Sequence, residues 1–112
     1  MTTGIYTELE KIVYDWLVRR KIAFTFQSSL LGGRFELGGA IADFTIDETD
    51  LLWRIHGDYW HKQMAQSARD NVQQELLEAE GWTVVNIWGS DLETPEMVEV
   101  TLSKALIGEE VL

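Results

Sequence analysis

The chain has 112 residues, no cysteine and a formal net charge of −10, and its length suits one compact domain over residues 1–112. The absence of cysteine excludes a disulfide framework and a Cys-based structural zinc site. The absence of a long apolar run and of a signal-peptide pattern predicts no membrane partner and a cytoplasmic location, in the host cytoplasm if the gene is viral.

The first half of the chain predicts one helix followed by three strands. Residues 3–21 form a helix with one apolar stripe, and residues 22–27 alternate as a strand with Ile22, Phe24 and Phe26 on one side. Residues 34–37, between two Gly-Gly pairs, form a short strand or a hairpin arm. Strands at 40–46 and 51–56 are joined by the turn at 47–50 and form a hairpin that ends at Gly57. The stripe of the helix consists of Ile5, Leu9, Ile12, Val13, Trp16 and Leu17.

The second half predicts a helix, a strand and a final helix. Residues 64–81 form a helix that Gly81 stops, and residues 82–88 form a strand. The last helix runs to about residue 106, capped either by Ser90 or Asp91 or by Thr94 with Pro95 in the first turn. The order αβββαβα predicts an α/β fold with a mixed four-stranded sheet flanked by helices. The buried stripe expected for the middle helix is Met64, Ala68, Val72, Leu76 and Ala79.

Three polar residues around the hairpin are candidates for chemistry. Asp43 lies in an apolar segment, where an unpaired carboxylate is costly and needs a partner, a metal or access to water. His56 follows thirteen residues later at the end of the neighbouring strand, and His61 lies five residues further on. Such groups can bind a divalent cation or carry protons. The alternative is that Asp43 is a turn or edge residue and that the two histidines are incidental.

Asp43 followed by the run His56-Gly57-Asp58-Tyr59-Trp60-His61 resembles the very-short-patch-repair (Vsr)-like endonucleases of the PD-(D/E)XK nuclease superfamily. The similarity covers about residues 36–92. It includes Ala68-Arg69-Asp70 and the segment 81–88 with its tryptophans. This resemblance implies a restriction-endonuclease-like core and a DNA endonuclease of the nicking or homing type that depends on Mg²⁺ or Mn²⁺.

The resemblance also implies roles for individual residues. Asp43 and the backbone carbonyl of Ile55 would bind the metal. His56 stands where most of the superfamily has a lysine, and would help to activate the attacking water. His61 would act as a general acid-base or through metal-bound water, and Asp70 would orient a catalytic histidine. The first helix often supplies a glutamate, for which the candidates are Glu8 and its rival Glu10.

The expected DNA contacts come from aromatic and basic residues near the motif. Tyr59 and Trp60 correspond to the aromatic pair that wedges into the base stack in the repair enzymes. For Trp60 we favour a position in the core or the wall of the site, whereas Tyr59 fits either role. Arg54 stands at the position of the superfamily's second acidic ligand. Pointing inward, it would weaken metal binding; pointing toward DNA, it would strengthen the contact with DNA. The other expected contacts are Lys62 and Arg69.

The negative charge counts against tight, solitary DNA binding, because phosphate contacts need Lys and Arg. The basic run Arg19-Arg20-Lys21 either contacts phosphate or complements a helix macrodipole, and the acidic C-terminal region is a solvated face or a surface for a basic partner. We therefore expect DNA as partner together with a separate DNA-binding protein or a homodimer. The alternative function is a catalytically degenerate nuclease-fold module for binding or assembly. Without the cysteines of the repair enzymes' zinc site, a mismatch-repair role is not expected.

Overall fold

A computed structural model describes residues 8–27, 40–56 and 68–110, and its elements follow the predicted order αβββαβα. The strands predicted at 40–46 and 51–56 have the predicted bounds, and within the described residues the flanking elements begin or end one or two residues inside theirs. The predicted helix starts at residues 3 and 64 lie outside the described residues. The predicted arm at 34–37 lies outside the described residues. The elements are α1 (Glu8–Arg19), β1 (Phe24–Gln27), β2 (Ala40–Ile46), β3 (Leu51–His56), α2 (Ala68–Ala79), β4 (Thr83–Trp88) and α3 (Pro95–Ala105), with a 3-10 turn at Gly89–Asp91.

The four strands form one mixed sheet in the order β1-β2-β3-β4. β1 pairs with β2 and β2 with β3 in antiparallel fashion, while β4 runs parallel to β3. The hairpin turn also contacts the start of β4, because the Thr83 backbone N–H donates to the Asp50 carbonyl at 2.7 Å. The predicted mixed four-stranded sheet flanked by helices is therefore confirmed.

The two faces of the sheet bury cores of different size. The larger core lies between the sheet and the helices α1 and α3, and includes Val13, Leu17, Trp53 and Leu102. The smaller core lies on the α2 side and consists of Leu52, Leu77 and Val84, with Trp82 packed against it. Because β3 is buried along its whole length, its alternate side chains serve both cores.

The stripe predicted for α2 is wrong at its C-terminal end. Leu76 is 61% exposed and Ala79 is exposed, whereas Leu77 is only 2% exposed. The cause is the way the helix ends: the Trp82 N–H donates to the Leu77 carbonyl and the Gly81 N–H to that of Glu78. This Schellman motif, with Gly81 at φ 104°, brings Trp82 onto Leu77 and sets which leucine is buried. The side chains of the other stripe residues lie outside the description.

Two further helix ends follow the same physical rules. Thr94 caps α3, accepting a hydrogen bond from the Met97 N–H at 3.1 Å, and Pro95 is the first helical residue. The Thr94 alternative is thus confirmed over Ser90 and Asp91. At the end of α1, Lys21 occupies the left-handed position usually taken by glycine, with φ 58°.

The first and last helices are joined by a polar cluster around Glu99. Its carboxylate accepts hydrogen bonds from Arg20, from the Trp16 indole at 3.1 Å and from the Ser103 hydroxyl at 3.2 Å. The Arg20 guanidinium also lies 4.5 Å from the centre of the Trp16 ring. The Arg20 hydrogen bond, followed by that of Trp16, lowers the pKa of Glu99 below its usual value of 4.5.

Candidate functional site

The hairpin and β4 place four polar residues in one line across the sheet. Gln27 pairs with Asp43, Asp43 with Arg54, and Arg54 with Asn86. Directly opposite positions on neighbouring strands share a face of the sheet, and we call these four register positions the polar row. Arg54 and Asn86 lie two residues beyond Leu52 and Val84, and therefore on the α2 face. The polar row therefore runs across the strands beside the positions that form the small core.

The pairing of β2 with β3 is irregular between Asp43 and the residue opposite His56. Ala42 is the partner of Ile55 and Ala40 is the partner of His56, so Ile41 is an extra residue in β2. β-Bulges of this kind bend a strand and are frequent next to active sites. Since Ala42 precedes Asp43, the two expected metal-binding residues, Asp43 and Ile55, occupy neighbouring register positions on adjacent strands.

His56 is buried at the end of β3, with 2% of its surface exposed. Its Nε2 lies 2.8 Å from the Asn86 Oδ1. Its ring stacks on that of Trp88, with centroids 4.2 Å apart and an interplanar angle of 18°. Trp88 is the register partner of His56 across the parallel pair. The hydrogen bond at Nε2 and the stacking contact on the face of the ring together fix the orientation of the imidazole.

Asn86 connects His56 to two other parts of the chain. Its Nδ2 donates to the Gln74 Oε1 in α2 at 2.9 Å and to the Glu110 Oε2 at 3.1 Å. Its backbone N–H donates to the same Glu110 oxygen at 2.9 Å. Sequence reasoning missed Asn86, Gln74, Glu110 and Trp88 as site residues. The one available signal was Asn86, the polar residue inside the apolar run Thr83–Trp88.

Arg54 lies in the polar row, directly opposite Asp43, and is 1% exposed. Of the two orientations considered for Arg54, the structure has the buried one, and its contact with DNA stays a prediction. Cβ atoms at directly opposite antiparallel positions are about 5 Å apart. A buried positive charge on the residue opposite position 43 would oppose binding of a divalent cation there.

The remaining predicted residues fall into two groups. Glu8 is exposed, whereas its rival Glu10 is 0% exposed, on a helix packed against the opposite face of the sheet from His56. Four of the predicted residues lie entirely outside the described part of the chain: Tyr59, Trp60, His61 and Lys62. For three others the backbone is described and the side chain is not: Asp43 in β2, and Arg69 and Asp70 in α2.

The donors expected for a divalent ion fit in part. A carboxylate at position 43 and the neighbouring Ile55 carbonyl would be hard oxygen ligands of the type Mg²⁺ prefers. Arg54 stands where a second carboxylate would complete such a set. Residues 8–27, 40–56 and 68–110 bring together no group of three or more His, Cys, Asp or Glu side chains suited to a metal.

Comparisons of the chain with protein-family models, with curated proteins and with solved structures found no match. The resemblance to Vsr-like endonucleases therefore depends on the motif residues of the sequence. Within the part of the chain that the structure describes, no helix is long and apolar enough to cross a bilayer.

Proposed function

We propose that the protein is a metal-dependent DNA endonuclease with a restriction-endonuclease-like core that hydrolyses phosphodiester bonds. The observation that carries this proposal is the setting of His56. Its ring is buried, hydrogen-bonded to Asn86 and stacked on Trp88, and its backbone pairs with β2 at the bulge that precedes Asp43. A general base must be oriented before its basicity is of use, and this imidazole is oriented.

The proposed roles of the individual residues are based on the sequence motif and on the surroundings of His56. Asp43 and the Ile55 carbonyl would hold Mg²⁺ or Mn²⁺, and the ion would supply Lewis-acid chemistry at the scissile phosphate. His56 accepts a proton from the attacking water at Nδ1, the buried ring nitrogen that does not face Asn86. His61 returns a proton to the leaving oxygen, and Asp70 orients a histidine. Lys62, Arg69, Tyr59 and Trp60 contact the DNA.

A plasmid cleavage assay tests the proposal. The wild-type protein is incubated with supercoiled DNA and either Mg²⁺ or Mn²⁺, beside Asp43→Asn. The control is Asp47→Asn, which removes an exposed acid of the adjoining turn. We expect nicked or linear product from the wild type and from the control, and a loss of about 100-fold or more for Asp43→Asn, in line with removal of a catalytic electrostatic group. Equal cleavage by wild type and Asp43→Asn, or no cleavage by either with any metal, would reject the proposal.

Arg54 favours a second candidate, a catalytically degenerate nuclease-fold module for binding or assembly. Arg54 is buried on the strand opposite position 43, and its guanidinium carries a positive charge, as a bound metal ion would. Titration calorimetry with Mn²⁺ separates the two functions. Binding that disappears in Asp43→Asn supports the endonuclease, and the absence of binding by wild type supports the module.

The net charge of −10 leads us to propose that the endonuclease binds DNA with a separate DNA-binding protein or as a homodimer. Size-exclusion chromatography with light scattering, with and without a short duplex, tests self-association. A monomer that cleaves DNA unaided at physiological salt would contradict both forms of assistance.

A further inference from the structure

We propose that Glu110 is a positioning residue for His56. Its carboxylate sets the orientation of the Asn86 amide, and this amide in turn holds the neutral imidazole as the tautomer with its proton on Nε2 and its lone pair on Nδ1. The contribution to catalysis rests on the proposed function, whereas the control of the tautomer does not.

The two ends of the Asn86 amide differ in that Nδ2 donates hydrogen bonds and Oδ1 accepts them. Its Nδ2 faces two oxygens, the Gln74 Oε1 at 2.9 Å and the Glu110 Oε2 at 3.1 Å. Its Oδ1 faces the His56 Nε2 at 2.8 Å. Because an amide oxygen only accepts hydrogen bonds, Nε2 must be the donor, and the neutral ring then keeps its lone pair on Nδ1.

Gln74 favours this orientation only through its own partner, since it is an amide too: its Nε2 donates to the exposed Glu78 carboxylate at 3.0 Å, one turn further along α2. If the amides of Asn86 and Gln74 both turned over, every hydrogen bond between them would be kept with donor and acceptor exchanged. Asn86 would then offer an N–H to His56, and the ring would take the tautomer with its proton on Nδ1. Turning both amides over would break only the exposed contact of Gln74 with Glu78, so the two amides by themselves are nearly symmetric with respect to the two states.

Glu110 removes this symmetry. An ionised carboxylate only accepts, so a turned-over Asn86 amide would place its own oxygen against the Glu110 oxygen. The position of that carboxylate is set independently of the amide, because the same Oε2 also accepts from the Asn86 backbone N–H at 2.9 Å. A backbone N–H can only donate, so an acceptor always faces the Asn86 side chain at this point.

The functional consequence concerns which ring nitrogen of His56 carries the lone pair. Stacking on Trp88 fixes the plane of the imidazole, and the hydrogen bond to Asn86 fixes its rotation. With the tautomer fixed as well, the lone pair lies on Nδ1, a buried atom, and no change of tautomer is needed before that nitrogen accepts a proton. Glu110 thus influences His56 through Asn86, which donates two hydrogen bonds to the Glu110 carboxylate.

Nitrogen-15 NMR of the histidine rings tests the proposal directly. The sequence contains only two histidines, and His61→Gln assigns the signals. At a pH where the ring is neutral, we expect long-range proton–nitrogen spectra of the wild type to show a protonated Nε2 and an unprotonated Nδ1 for His56. Glu110→Ala should lower the ratio of the two tautomers by about tenfold, as expected for the loss of a hydrogen bond to a charged group.

Three matched variants sharpen the result. Glu109→Ala removes the neighbouring exposed acid and should leave the tautomer unchanged. Glu110→Gln should also retain it, because the Asn86 backbone N–H turns the new amide oxygen toward Asn86. In Glu110→Ala, the second change Gln74→Glu should restore it by supplying another group that only accepts. An unchanged tautomer in Glu110→Ala, or loss of the tautomer in Glu110→Gln, would overturn the proposal.

The spectra need neither DNA nor metal, so this inference and the proposed function can fail separately. A wild type that fixes the tautomer but never cleaves DNA would retain the inference and reject the endonuclease. If the wild type cleaves, Glu110→Ala should lower kcat with little change in KM, and Gln74→Ala, which leaves Glu110 in place, should preserve the tautomer. Loss of the tautomer in Gln74→Ala would count against the role of Glu110.

Discussion

Two adjacent leucines of α2 differ sharply in burial, which makes them a matched pair for testing the packing of the small core. Leu77 is 2% exposed and packs with Leu52 and Val84, while Leu76 is 61% exposed. Leu→Ala at a buried site costs about 2–5 kcal/mol. Here we expect about 2–3 kcal/mol for Leu77→Ala, because the partly buried Trp82 borders the cavity and can relax into it.

Leu76→Ala should change the free energy of unfolding by about 0.5 kcal/mol or less, since little burial is lost and alanine is the better helix former. Urea unfolding followed by circular dichroism measures both variants. With a slope of about 1–1.5 kcal/mol/M for a domain of this size, the midpoint of Leu77→Ala should fall by about 1.5–3 M. Equal midpoints for the two variants, or a larger loss for Leu76→Ala, would refute the assignment of Leu77 to the core.

Three further predictions concern backbone strain, pH and charge. Lys21→Gly should raise the free energy of unfolding by about 0.5–1 kcal/mol in urea, because glycine adopts φ 58° without strain; Lys21→Ala should bring no such gain. Because the pKa of Glu99 is lowered in the folded protein, its stabilising effect is fully present above its unfolded pKa and is lost as pH falls below about 4.5 through the folded value. Thermal melts from pH 6 to pH 2.5 should therefore show a weaker pH dependence for Glu99→Gln, and an unaltered one for Glu96→Gln. Arg54→Gln should tighten Mn²⁺ binding by about tenfold or more in calorimetry, since it removes a buried positive charge opposite position 43; an unchanged affinity would place the ion elsewhere.

The parts of the fold set by local rules could be predicted from the sequence. β2 and β3 alternate between apolar and polar residues on either side of a short polar turn, so their bounds and pairing followed directly. The α2 stripe could not be placed correctly, because Leu76 continues the period from Val72, whereas the buried Leu77 lies about 100° around the helix from Leu76. The choice was made by the contact of Trp82 with Leu77 after the helix had ended.

The surroundings of His56 could be predicted only in part. The hairpin places Asp43 and His56 near each other by local pairing. The contacts that orient the imidazole depend instead on the parallel register of β3 with β4 and on Glu110, which lies 24 residues beyond Asn86. Such register and long-range contacts are properties of tertiary packing, and periodicity contains no information about them.

The position of Glu110 has a consequence for self-association. β4 is the last strand of the sheet in its order, and an edge strand offers its outward amides to any extended chain that approaches. Glu110 already occupies the outward N–H of Asn86, near the middle of β4. A strand from another molecule would have to displace the Glu110 carboxylate and pack against its charge. Charged side chains at the edge of a sheet are a common natural protection against aggregation.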